Sequence, residues 1–465
     1  MRERCGVVAV AAKNDVASYI YFSLNALQHR GQEAAGIAVY DNGSDEIKYY
    51  KGLGLVNEAF EDKDISQIKG KRGVGHTYYS IKISSPDNAQ PTIVHTSSGD
   101  IALAHNGIIT NSDELKRRLL EEGHNFSMGS EEESMAFLLS DYLKNKSFEK
   151  AVKSIMKELK GSYSLAMMFN NRVFGLRDPF GVRPLCLGKL NDGYVIASET
   201  VALDVLGAKL IRDVRPGELI ELTEDGYKSY QLMEEKYKAH CFFEYVYFSR
   251  ADSIIDGRDV YLTRKRIGEQ LAREHPADAD LVVPVPDSGR SHAYGYSSES
   301  GIPIAEGLMK NRYIGRTFIM PSQSVRQKYV LLKTNPIRSI VEGKRIVLVD
   351  DSIVRGTTMK QMADLLRSRG AKEVHVRIGS PPIIAPCYLG IDMTTREQLI
   401  ASGMSAEEIR KKIHADSLGY ISIEGLIKAI GMNRNDLCLG CVTGEYPIKI
   451  NEERYRFQKR LEKWD

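Results

Sequence analysis

Three short runs of this chain are apolar at nearly every position, Val7 to Ala11, Leu281 to Val285 and Ile346 to Val349. All three read as strands, and Ile346 to Val349 has the continuous character of a strand buried on both faces of a mostly parallel sheet. Helical spacing governs other stretches. Leu115, Leu119 and Leu120 make an apolar face, with Asn111 and Glu114 as a capping box ahead of it and Gly123 as its stop. Phe148, Val152, Ile155 and Leu159 repeat the pattern and end at Gly161, and Met359, Met362, Leu365 and Leu366 repeat it again. Ser162 to Met168, Val173 to Leu176 and Tyr194 to Ala197 read as strands. After Leu222 to Tyr227 the pattern breaks, and Cys241 to Phe248 opens a new apolar segment, which puts a domain boundary near residue 232.

Length supports that division, because 465 residues exceed one ordinary core and suggest two to three domains. The 64 basic residues nearly balance the 61 acidic ones, so bulk charge implies no surface for nucleic acid. The apolar stretch after Met1 to Arg4 is too brief for a secretion signal or a membrane span, so a soluble cytoplasmic protein is expected. Six cysteines in such a length do not look like a secreted disulfide framework. No internal repeat or low-complexity segment interrupts the chain.

The densest chemistry lies in RIVLVDDSIVRGTT, Arg345 to Thr358. Asp350 and Asp351 fall at the carboxyl end of the buried strand, where open α/β sheets bind ligands, and suit vicinal hydroxyls or a hydrated magnesium ion. Arg355, Gly356, Thr357 and Thr358 then open the next helix: the glycine admits an anion closely, the hydroxyls donate to it, and the helix N-terminus favours its charge. A phosphorylated sugar is the ligand this arrangement predicts. Near the other end stands Cys5, four residues from the start. Release of Met1 to Arg4 would leave it a free α-amine, which titrates near neutrality and can activate the thiol beside it. Asn106-Gly107, read alone, signals a hairpin turn. Cys241, Cys387, Cys438 and Cys441 include a CxxC pair that brings two thiolates to one metal, and structural zinc and a [4Fe-4S] cluster both fit the count. Cys186 reads as a core residue.

The segment VDDSIVRGTT resembles the loop of phosphoribosyltransferases that bind 5-phosphoribosyl 1-diphosphate (PRPP). LQHRGQE at Leu27 to Glu33, Ala35-Gly36-Ile37, His105-Asn106-Gly107 and Arg177 to Pro184 resemble blocks of class II glutamine amidotransferases. Together, in this order, they resemble the glutamine PRPP amidotransferases over nearly the whole chain, from Cys5 to about Tyr446. The resemblance implies a fold of two parts: an N-terminal-nucleophile hydrolase αββα sandwich over 5–232, then a type I phosphoribosyltransferase domain with a parallel sheet and a C-terminal helical segment over 233–465, with Met1 to Arg4 as a propeptide. It implies Cys5 as nucleophile and Asn106 with Gly107 as oxyanion hole. Asp350, Asp351, Ser352, Arg355, Gly356, Thr357 and Thr358 would hold PRPP, Ser288 in the Pro286 to Arg290 turn would join the two aspartates around magnesium, and Lys310, Arg312 and Arg316 would close over the diphosphate. Of the two metal readings it selects the [4Fe-4S] cluster, on Cys241, Cys387, Cys438 and Cys441. It also implies purine nucleotides as feedback inhibitors, and a homo-oligomer, dimer or tetramer, with no nucleic-acid or membrane partner.

Two positions depart from the family pattern. Tyr78 stands where the family has an Arg for the glutamine α-carboxylate, and Glu131 where it has an Asp for the α-amino group. A phenol supplies no cationic fork and the added methylene shifts the carboxylate, so glutamine recognition is expected to lose about 1.5 to 3 kcal/mol unless a neighbour such as Arg30 compensates. Two other readings therefore stay open: an ammonia-dependent phosphoribosyltransferase with impaired glutaminase, and a PRPP-sensing regulator.

Overall fold

The N-terminal half of the computed structural model, which describes residues 5–79, 85–234, 237–311, 313, 332, 334–391, 393 and 395–450, is built on two facing antiparallel sheets. The first runs, edge to edge, through Lys209–Asp213, Cys186–Lys189, Gly193–Ala197, Gly6–Ala12, Arg72–Tyr78, Ala34–Asp41 and Glu46–Leu53. The second runs through Tyr227–Gln231, Glu218–Leu222, Arg172–Arg177, Gly161–Phe169, Gly99–Ile109 and Thr92–Thr96. Their facing surfaces carry small side chains, Val7, Ala9, Ala11, Ala38 and Val74 against Ala102, Ala104, Ala166 and Val173, so the sheets approach closely. Helix Ala17–Ala26 covers the outer face of the first sheet with Ile20 and Leu24. Helices Glu131–Leu143 and Phe148–Glu158 cover the second with Met135, Leu139, Val152 and Ile155. The layers are therefore αββα, as expected.

The C-terminal half holds a parallel sheet in the order Leu281–Pro284, Arg345–Asp350, Glu373–Ile378, Ser417–Tyr420. Helices Val260–Glu274 and Arg290–Ser300 pack on one face through Ile267, Leu271 and Tyr296, and Thr357–Ser368 with Ala406–Lys412 on the other through Met359, Leu366 and Ile409. Val347 and Val349 belong to one core and Ile346 and Leu348 to the other, which is why the run is apolar throughout. No helix among the described residues is long and apolar enough to cross a membrane.

Two local readings need correction. Asn111 does stand before helix Ser112–Glu121, but its side chain makes no cap; it accepts from Lys160 N (2.9 Å) and donates to Glu158 O (3.0 Å), tying this helix start to the end of helix Phe148–Glu158. Leu120 is half exposed, and of the three leucines only Leu115 and Leu119 reach the core. The capping box belongs instead to Ser130 and Glu133, whose side chains each meet the other's backbone N–H.

Candidate functional site

Cys5 leads into the strand Gly6–Ala12 and is buried, with the following N–H groups fixed by side chains: Gly6 N donates to Thr77 Oγ1 (3.1 Å) and Val7 N to Ser198 Oγ (3.0 Å). Its φ of 64° lies in the left-handed region, costly for a residue with a Cβ. The neighbouring strand Arg72–Tyr78 carries His76, whose Nε2 donates to the His105 carbonyl of the opposite sheet (3.0 Å). Burial pushes His76 down to about 3, so it is a neutral donor there. Asn106 and Gly107 follow inside the strand Gly99–Ile109, not in a turn. Asn106 is fully buried, yet neither its Oδ1 nor its Nδ2 has a hydrogen-bond partner. Unpaired buried amides are rare, and this one is poised for a ligand oxygen at the nucleophile's end of the sandwich. Gly107, at φ 154°, lies so close to Ser162 that a Cβ would stand 1.9 Å from its carbonyl oxygen.

The two departing positions border the same region. Tyr78 pairs across the sheet with Ala34 and is half-buried, its ring 5.5 Å from that of His76. Glu131 opens helix Glu131–Leu143 and accepts from Ile109 N (2.9 Å). Arg30 lies in the interior. Its guanidinium is 2% exposed and lies between Glu199 and Glu244, 2.5 Å from the latter, with Ser249 beside it. Coulombic attraction from Arg30 and His29 holds Glu199 well below the usual carboxylate range against its burial.

In the second half Asp350 and Asp351 lie at the carboxyl end of Arg345–Asp350, both buried. Ser288 Oγ (3.0 Å) and Asp351 N (2.9 Å) donate to Asp350 Oδ1, and Ser352 Oγ to Asp351 Oδ2 (2.6 Å). Burial, and then the neighbouring Asp351, push the Asp350 carboxyl well above the usual range, so two full negative charges side by side are disfavoured there unless a cation joins them. Gly356, at φ 75°, caps helix Thr357–Ser368, and Arg355, Thr357 and Thr358 are exposed at that end. Lys310 meets Asp287 (2.9 Å), which also pairs with Arg290 (3.0 Å), and these residues line a cleft with Met309, Asn311 and Tyr313. Arg312 and Arg316 lie outside the described residues.

Cys241 and Cys438 pair directly in a two-stranded parallel ladder, and Cys441 O accepts from Ile384 N and Ala385 N just ahead of Cys387. Cys387 Sγ accepts from Leu389 N and Ile391 N, both at 3.4 Å. Burial raises the Cys438 thiol to about 12, with Cys387 adding to it, and raises Cys241 and Cys441 too. Cys186 lies apart, in the core between the first sheet and helix Ala17–Ala26.

The sequence did not point to Thr77, Ser198, His76 or Glu132, all of which brace the first site. Only the residues beside them in the motifs signalled them: His76 and Thr77 precede Tyr78, and Glu132 follows Glu131.

Comparison with known proteins matches a glutamine amidotransferase domain model to residues 76–205 and a phosphoribosyl transferase domain model to residues 251–378. The chain is 51% identical to an amidophosphoribosyltransferase of Methanothermobacter thermautotrophicus, over 97% of this chain and 96% of that one. It is 50% identical to the amidophosphoribosyltransferase of Methanocaldococcus jannaschii, over 97% and 99%. Among solved structures, the glutamine PRPP amidotransferase from B. subtilis complexed with ADP and GMP superposes with a TM-score of 0.90 at 44% identity, covering 97% of this chain and 98% of that one.

Proposed function

This chain belongs to the amidophosphoribosyltransferases, and from that premise we propose that it makes 5-phosphoribosylamine from PRPP, glutamine and water, releasing glutamate and diphosphate, at the entry to purine synthesis. The carrying observation is the buried, unpartnered Asn106 amide beside the Cys5 strand, in one chain with the buried Asp350-Asp351 pair. Cys5 attacks the glutamine amide, its own α-amine acting as base, while Asn106 and the Gly107 N–H hold the oxyanion. The left-handed φ of Cys5 supports removal of Met1 to Arg4, since an N-terminal residue has no φ to strain. Glu131 receives the α-amino group and Tyr78 borders the α-carboxylate.

Ammonia then reaches the second domain. There Asp350 and Asp351 accept from the ribose hydroxyls, Ser352, Arg355, Gly356, Thr357 and Thr358 hold the 5-phosphate at the helix N-terminus, and Lys310, with Arg312 and Arg316, meets the diphosphate. The donor set of Ser288, Asp350 and Asp351 suits magnesium, which would neutralise charge on the leaving diphosphate. Cys387, Cys241 and Cys438 lie close enough to Cys441 to raise its thiol further, and with the two N–H donors on Cys387 this all-thiol set favours a [4Fe-4S] cluster, which would staple residues 241, 387 and 438–441 together. We place the domain boundary at 232/233. The assembly is read as a cytoplasmic homo-oligomer, dimer or tetramer, and purine nucleotides as its inhibitors, the latter supported by the ADP and GMP in the B. subtilis relative.

Steady-state turnover with glutamine against ammonium chloride tests this. Cys5→Ser should abolish the glutamine-dependent rate and spare the ammonia-dependent one; turnover with ammonia alone in the unmodified protein would leave it an ammonia-dependent transferase, and no diphosphate release with either donor would leave a PRPP sensor.

A further inference from the structure

His105 and Glu132 form a buried pair that the reaction as described does not use. His105 Nδ1 lies 3.0 Å from Glu132 Oε1 and 3.6 Å from Glu131 Oε2, and His105 and Glu132 are 3% and 7% exposed. The opposite ring nitrogen, Nε2, is buried without a hydrogen bond and lies 3.0 Å from the point where a Cβ on Gly107 would stand. The imidazole thus sits against the glycine whose N–H is read as an oxyanion donor, in space that only a glycine leaves.

We propose that Glu132 is a positioning residue for amide cleavage: it fixes His105 as an imidazolium beneath the Asn106-Gly107 peptide, placing a permanent positive charge behind the developing oxyanion. This deepens the glutaminase reading of the same site and rests on it. A charge fixed in a water-excluded site acts on the transition state without reorganisation, and more strongly than in solvent. The surroundings agree. Burial alone would push His105 down, but its hydrogen bond to Glu132 and the charges of Glu132 and Glu131 outweigh it and hold its pKa above the ordinary histidine value. Burial would raise Glu132, yet its hydrogen bond to His105 pulls it below the usual value. The other groups facing the ring are neutral: His76 from Arg72–Tyr78, which donates to the His105 carbonyl, and the Ser162 carbonyl from Gly161–Phe169. The same pair, with the Ile109 N–H to Glu131 bond (2.9 Å), joins the strand bearing Asn106 to the helix start bearing Glu131, so the groups assigned to oxyanion and α-amine are set together.

The test is Glu132→Gln, which keeps the shape and one acceptor but removes the charge. The expected result is a glutaminase kcat lower by roughly 10- to 100-fold with KM for glutamine within about twofold. Its alkaline limb should move to lower pH, because His105 without Glu132 loses its proton more readily. Ammonia-dependent synthesis of phosphoribosylamine, read on the same sample, should be unchanged. Glu132→Asp, which retains the charge, should recover most of kcat, and supplies the comparison should Glu132→Gln fold poorly. An unchanged kcat and pH profile in Glu132→Gln, or equal loss of the glutamine- and ammonia-dependent rates, overturns the proposal and leaves the glutaminase reading standing. A wild-type protein that hydrolyses no glutamine overturns that reading, and this one with it.

Discussion

At the scale of single residues, Tyr78 and Glu131 are the positions that the proposed glutamine site turns on. Arg30, the neighbour expected to make up for Tyr78, lies between Glu199 and Glu244, where its charge is engaged by two buried carboxylates. Tyr78→Arg should therefore lower KM for glutamine by roughly 10- to 100-fold, the worth of one charge-assisted contact, with the ammonia-dependent rate unaltered; initial rates over a glutamine series check this, and an unchanged KM would mean the carboxylate is held elsewhere. Residues inside a contiguous motif were legible in the sequence, because the motif itself carries the geometry: Asp350, Asp351 and Gly356 are examples. Glu199 and Glu244 were not, since a buried carboxylate that pairs with an arginine more than 160 residues away leaves no local pattern.

At the scale of elements, hydrophobic spacing found the strands and helices whose burial is one-sided or complete. The strand expected over Ser162 to Met168 is Gly161–Phe169, and the helix expected from Phe148 is Phe148–Glu158. It missed helix Glu131–Leu143, whose first turn carries three glutamates and masks the apolar face that follows. It also assigned Asn111 to a cap, where tertiary bonds to Glu158 and Lys160 took its side chain instead. The turn proposed to hold the 5-phosphate makes a prediction at this scale. Gly356 combines a φ of 75° with an approach that would bring a Cβ to 2.7 Å from Ile400 Cδ1. Gly356→Ala should cost about 1 to 2 kcal/mol of stability and raise KM for PRPP, while glutamine hydrolysis measured without PRPP stays near its original rate. Thermal melts and PRPP titrations read both effects, and an unchanged KM would remove the turn from the phosphate site.

Across the whole molecule, charge joins the halves. Glu244, from the second half, pairs with Arg30 and with Arg183 (3.1 Å), while Glu199 accepts from Arg250 N (2.9 Å) and Ser253 Oγ (2.6 Å). Arg177 meets Asp256 (3.0 Å), and Ser162 Oγ donates to Leu389 O (2.8 Å) beside Cys387. Buried pairs of this kind cost desolvation and are strongly destabilising to break, so they hold the two catalytic halves in one arrangement. Ammonia made in one half is then delivered to a fixed acceptor in the other. The direct measurement is the ratio of glutamate to diphosphate formed with glutamine as the sole nitrogen source and PRPP saturating. Coupled sites predict one diphosphate per glutamate; glutamate without diphosphate, or diphosphate that appears only when ammonium is added, would contradict the account.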